Sequence, residues 1–109
     1  MTRPATRSLR VLELHELPDG RAQSRMVEQH AVGVVRLDGR LIAFDPLCPH
    51  KFSDLCEGLL ENGAVVCPTH LWAFDLRTGA CRNVPGARIT LYPAREEDGW
   101  VVVDVPLPS

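Results

Sequence analysis

No stretch of this sequence is long and apolar enough to cross a membrane. Its apolar runs last only a few residues, against the roughly twenty that a spanning helix needs. Nor is there a run of Lys or Arg of the kind that grips a phosphate backbone. With a formal net charge of −2, the chain is not expected to bind nucleic acid. The opening, MTRPATRSLR, is basic but lacks the apolar run of a secretory signal, so a cytoplasmic protein is expected. Internal repeats and low-complexity segments are also missing. What is present is the balance of an ordinary globular protein, 45% hydrophobic and 24% charged over 109 residues. That length suits one domain, residues 1–109, small enough for a bound cofactor to add materially to its stability.

The punctuation is that of an all-β domain, with short runs of Val, Ile, Leu and Phe broken by Gly, Pro, Asp and Asn about every ten residues. Strands are expected at Arg10–Leu14, Ala22–Val27, Ala31–Leu37 and Leu41–Phe44, the last two joined through the hairpin signal Asp38-Gly39. From Pro46 to Gly63 neither a period of two nor one of 3.6 persists, and a long ordered loop is expected there. Ala64–Cys67 reads as a short strand, Pro68–Leu71 as a tight turn and Trp72–Leu76 as a strand ended by Arg77-Thr78-Gly79. Ile89–Tyr92 and Trp100–Val105 are expected to close the domain as a final hairpin through Glu96–Gly99. Long loops in small domains are commonly functional, and this one holds metal-ligand residue types.

Two similar pieces carry the chemistry: Cys48-Pro49-His50 and, after sixteen intervening residues, Cys67-Pro68-Thr69-His70. Each sets one thiolate and one imidazole in a tight turn opened by Pro, at the end of a strand-like segment. Two such loops at neighbouring strand tips can face each other and hold a metal centre. Zinc fingers instead pair Cys with Cys and His with His. Mixing one Cys and one His in each loop fits a two-iron, two-sulfur cluster with one iron held by both thiolates and the other by both imidazoles. Neutral imidazoles in place of anionic thiolates make the reduced form less costly and raise the potential above that of an all-Cys cluster.

On these residues the chain resembles a Rieske-type ferredoxin. The segment CPHKFSDLCEGLLENGAVVCPTHLWAFDLRTG follows that family's pattern, and with the flanking strands the likeness covers roughly residues 9 to 105. The resemblance implies an antiparallel β-sandwich carrying a small two-loop cluster-binding subdomain, about residues 45–85. It implies Cys48, His50, Cys67 and His70 as ligands of one Rieske [2Fe-2S] cluster per chain. It also implies a monomeric electron carrier, with no turnover of its own, between a flavin-containing reductase and a terminal oxygenase of the aromatic ring-hydroxylating type. The transient docking surface would be the His50/His70 tip. The small subunit of a nitrite reductase shares the fold and is the alternative, and a structural zinc-binding module is a third reading. Where many relatives carry Gly, this chain has Phe52 and Leu71. Where the high-potential branch has a disulfide joining the loops it has Ser53 and Thr69, and where that branch has a hydroxyl donor to sulfur it has Trp72. Fewer hydrogen bonds to sulfur favour the oxidised form, which places the potential toward the low end of about −150 to +300 mV.

The remaining candidates read as structural. Cys56 and Cys81 are expected as small buried residues, with a disulfide between them or a redox-sensing thiol as the alternatives. His15 and His30 read as solvated, with no second ligand nearby. Trp72 and Phe74 are expected in the core, where they could also shield a cluster from water. Asn83-Val84-Pro85-Gly86 falls where relatives have a proline-containing loop over the cluster. Phe52 and Leu71 would form an apolar rim around the histidines.

Overall fold

A computed structural model describes residues 6–49, 53–69 and 71–106. Ten strands form three antiparallel sheets: β1 (Thr6–Glu13), β2 (Gln23–Val27), β3 (His30–Leu37), β4 (Arg40–Phe44), β5 (Leu59–Glu61), β6 (Ala64–Val66), β7 (Ala73–Asp75), β8 (Leu91–Tyr92), β9 (Ala94–Glu97) and β10 (Trp100–Pro106). The sheets run β1-β10-β9, β2-β3-β4-β8 and β5-β6-β7. Two single 3-10 turns, Leu14–Glu16 and Leu55–Glu57, complete the regular structure among the described residues. No helix among them is long and apolar enough to cross a membrane.

The four-stranded sheet is buried on both faces, and the strand period of two explains how. On β3, Val32 and Val34 point into one core with Leu9, Leu12, Val101, Val103 and Val105 of the β1-β10-β9 sheet. Val35 points the other way, into a second core with Phe44, Leu55, Val65, Phe74, Leu76 and Ile89. On β4 the neighbours Ala43 and Phe44 divide between the two cores in the same way. Gly33 lies beneath the Phe44 ring, where a Cβ would sit 2.8 Å from its edge atoms. A register shift in the β1–β10 pairing between Arg10 and Leu12 lets Val11 and Leu12, consecutive residues, both be buried.

The hairpins are tight. Asp38-Gly39, Asn62-Gly63 and Asp98-Gly99 each occupy two successive left-handed positions, the backbone of a type I′ turn. Two sequence expectations are corrected by them. The stretch from Pro46 to Gly63 is not all loop, because Asn62-Gly63 folds Leu59–Glu61 back on Ala64–Val66 as β5. The final hairpin joins Ala94–Glu97, not Ile89–Tyr92, to β10. Asp98-Gly99 selects the strand adjacent to it, and Leu91–Tyr92 pairs instead with Ala43 and Phe44 of β4. β9, Ala-Arg-Glu-Glu, is a polar edge strand and shows no apolar alternation. The first strand also begins earlier than Arg10, at Thr6, on the strength of its pairing with β10.

The β2–β3 turn uses Glu28 and Gln29 at φ of 48° and 72°, a backbone region that favours glycine. Replacing Gln29 by Gly should therefore stabilise the fold by about 0.5–1 kcal/mol, read as a rise of a few degrees in melting temperature.

Candidate metal centre

Two loops leave the second core side by side. The first is closed at its neck by Leu55 N–H donating to Pro46 C=O at 2.7 Å and Cys48 N–H to Ser53 C=O at 2.9 Å. Its base is tied to the central sheet through Asp54, which accepts from Ser24 Oγ of β2 at 2.6 Å and from the Cys56 N–H at 2.8 Å. The second loop joins β6 to β7, with Cys67 N–H donating to Trp72 C=O at 2.8 Å and Leu71 N–H to Cys67 C=O at 3.0 Å. Gly58, just past the first loop, passes so close to the strand leading to Cys67 that a Cβ there would lie 1.8 Å from the Val66 carbonyl oxygen.

The loops meet. Ser53 Oγ lies 3.0 Å from Thr69 Oγ1, a hydroxyl hydrogen bond from one loop to the other. Cys48 and Cys67 are both 0% exposed and belong to the same apolar core. His50 and His70, with Phe52, fall outside the described residues. Each is held in sequence to a loop whose Cys is placed: His50 two residues after Cys48, His70 three after Cys67. Two thiols buried together suit thiolate ligands, because a buried negative charge needs a compensating cation. The two Cys-x(1–2)-His turns carry the donor types that a cluster with two distinct irons would take.

The segment after β7 braces the second loop. Asn83 Nδ2 donates to Leu71 C=O at 2.9 Å, and Asn83 Oδ1 accepts from Ala73 N–H at 3.1 Å and from Cys81 Sγ at 3.2 Å. Asp75 holds the same segment through Arg82, and its carboxyl lies below the usual range because the Arg77 N–H, then Arg82, stabilise its charge. Leu71, at φ 60°, sits in the left-handed region, which costs a residue with a Cβ about 1–2 kcal/mol. Phe74 is fully buried, and the half-buried Trp72 lies against it with ring centroids 6.4 Å apart.

Three of these features were not foreseen: the Asp54 tether, the Asn83 brace and the left-handed Leu71. Asn62-Gly63 carried a legible signal for β5; nothing local marks Asp54 or Asn83, whose partners lie 30 and 12 residues away. Cys56 and Cys81 are half-buried and not bridged. His15 is solvated, as expected, but the expectation that it has no second ligand nearby is corrected. It lies 2.8 Å from Glu13, and the ligand atoms of Glu13, His15 and Glu16 gather within 4.8 Å at the solvent-facing turn after β1.

A family model for the Rieske [2Fe-2S] domain matches residues 7–93. The chain belongs to the Rieske [2Fe-2S] family. It is 36% identical over 93 residues to the anthranilate 1,2-dioxygenase ferredoxin subunit of Burkholderia cepacia, covering 84% of this chain and 86% of that one. Among solved structures, the ferredoxin of Sphingomonas yanoikuyae B1 superposes with a TM-score of 0.81 at 32% identity, covering 92% of this chain and all of that one. A structure described as a putative NADH-dependent nitrite reductase small subunit from Mycobacterium tuberculosis superposes with a TM-score of 0.84 over 95% of this chain and 99% of that one. At 22% identity that likeness carries the fold alone.

Burial first, then the neighbouring Asp54 carboxylate, push the Cys56 thiol from 9.0 up to about 12. Between those values the unfolded chain releases the proton and the folded chain keeps it, so this Rieske protein loses stability as pH rises through the window. Denaturant titrations of wild type and Cys56→Ala from pH 8 upward should show a shallower alkaline fall in the variant.

Proposed function

We propose that this chain is the ferredoxin component of an oxygenase system, carrying one electron at a time on a Rieske cluster held by Cys48, His50, Cys67 and His70. The observation that carries this reading is the meeting of two hydrogen-bonded loops whose cysteines are sealed into one core. When bound, the cluster supplies a one-electron couple. The chain supplies the rest. Cys48 and Cys67 would hold one iron, and His50 and His70 the other. Phe74 and Trp72 keep water from the inner side, and the backbone bonds across both loop necks hold the ligands still as charge comes and goes.

Residues 1–109 are read as one domain, with residues 45–85 as its cluster-binding subdomain. The protein is a monomer of the cytoplasm that takes electrons from a flavin-containing reductase and delivers them to a terminal oxygenase of the ring-hydroxylating type. Both exchanges use the tip formed by the two ligand loops. Support comes from the ferredoxin subunit of an aromatic dioxygenase, whose likeness spans most of both chains.

Purified protein should be red-brown, contain two irons per chain, and gain a rhombic low-temperature EPR signal of low average g on reduction with dithionite. One zinc and no iron would sink the assignment. Replacing His50 by Cys should lower the midpoint potential by on the order of 200 mV, because a thiolate adds negative charge where an imidazole was neutral.

A further inference from the structure

We propose that Leu71 is a recognition residue for the terminal oxygenase, held at the tip in a left-handed conformation by Asn83 so that its side chain is presented to that partner. This rests on the reading under Proposed function. Leu71 is disfavoured where it stands on two counts. Its φ of 60° is one that L side chains rarely adopt, and the residue is 64% exposed, so little of it is buried in exchange. The loop itself does not need a side chain there. What closes it are backbone groups, the Leu71 N–H on Cys67 C=O and the Leu71 C=O on Asn83 Nδ2, and glycine would make both bonds without strain.

Position in the chain says what a docked partner must cover. Leu71 is bonded to His70, with consecutive Cα atoms about 3.8 Å apart, so a partner that covers this ligand must cover Leu71. Among the described residues four large hydrophobic side chains are exposed, and two of them stand one residue from a ligand position: Leu47 before Cys48, at 39%, and Leu71. The loop from Val66 to Ala73 contains no Asp, Glu, Lys or Arg. Contact there is apolar, so it adds affinity that salt does not screen, and the matching oxygenase surface is apolar at that point. One exposed leucine gives a modest increment, which suits a carrier that must leave after each transfer.

The test uses holo-protein, wild type and Leu71→Gly, reduced and mixed by stopped flow with oxidised oxygenase components of aromatic-ring dioxygenases, that of anthranilate 1,2-dioxygenase among them, and with ferricyanide as an acceptor that needs no docking. Leu71→Gly should melt about 4 °C higher and keep the wild-type midpoint potential and EPR signal. It should transfer to ferricyanide at the wild-type rate. Its second-order transfer to the oxygenase should fall about tenfold, with the same loss at about 0.05 and 0.5 M salt. Leu71→Asn, which tolerates the left-handed region but is polar, should show the same transfer loss and serves if the glycine variant fails to load its cluster. Wild-type transfer to the oxygenase by both variants would overturn the assignment, as would a lower melting temperature in Leu71→Gly. Wild-type protein that carries a Rieske cluster yet reduces none of the oxygenases would overturn the oxygenase reading itself, and this proposal with it.

Discussion

Cys48 and Cys67 come from loops nineteen positions apart in sequence, yet both lie fully out of water in one apolar core with Phe44, Phe74 and Leu55. Thiolates in such a place are tolerable only when a cation sits against them. The surrounding structure can be understood as the means of meeting that condition twice. Each cysteine must enter the core at the neck of its own loop, and the two necks must face each other. The neck hydrogen bonds, the Ser53–Thr69 bond and the Asp54 and Asn83 tethers all act on this geometry. In a small domain so arranged, a bound cluster would add to the stability that the apolar contacts provide.

The central sheet transmits that geometry. Because Val32 and Val34 face one core and Val35 and Phe44 the other, the β5-β6-β7 sheet is packed directly on a layer that is itself packed on β1-β10-β9. The cluster loops are therefore not an appendage on a hinge. Movement of the second core against the first would have to shear β3 and β4, whose side chains are shared between them.

Much of this was legible in the residues. The Cys-Pro-His and Cys-Pro-Thr-His turns carry the chemistry in their spacing, and the period of two in β3 and β10 shows as valine-rich runs. Asp38-Gly39 fixed one hairpin, and Asn62-Gly63 could have fixed another. What was not legible depends on long-range contact or on absence of pattern. β9 is too polar to alternate, so the C-terminal hairpin was assigned to the more apolar Ile89–Tyr92. The tethering roles of Asp54 and Asn83 exist only once Ser24 and Leu71 have been brought to them. Leu71 itself looks like any leucine in sequence, and its left-handed backbone is imposed by bonds at both of its ends.

The pairing of β1 with β10, from Thr6 against Pro106 to Glu13 against Trp100, has a consequence for how the chain is made. β1 cannot find its partner until β10, about ninety residues further along, has been made. Contacts this distant in sequence form slowly. During elongation the two Cys-Pro turns therefore appear ahead of the layer that will support the central sheet. The layer that backs the central sheet is thus the last part of the fold to close, after both cysteine-bearing loops have been made.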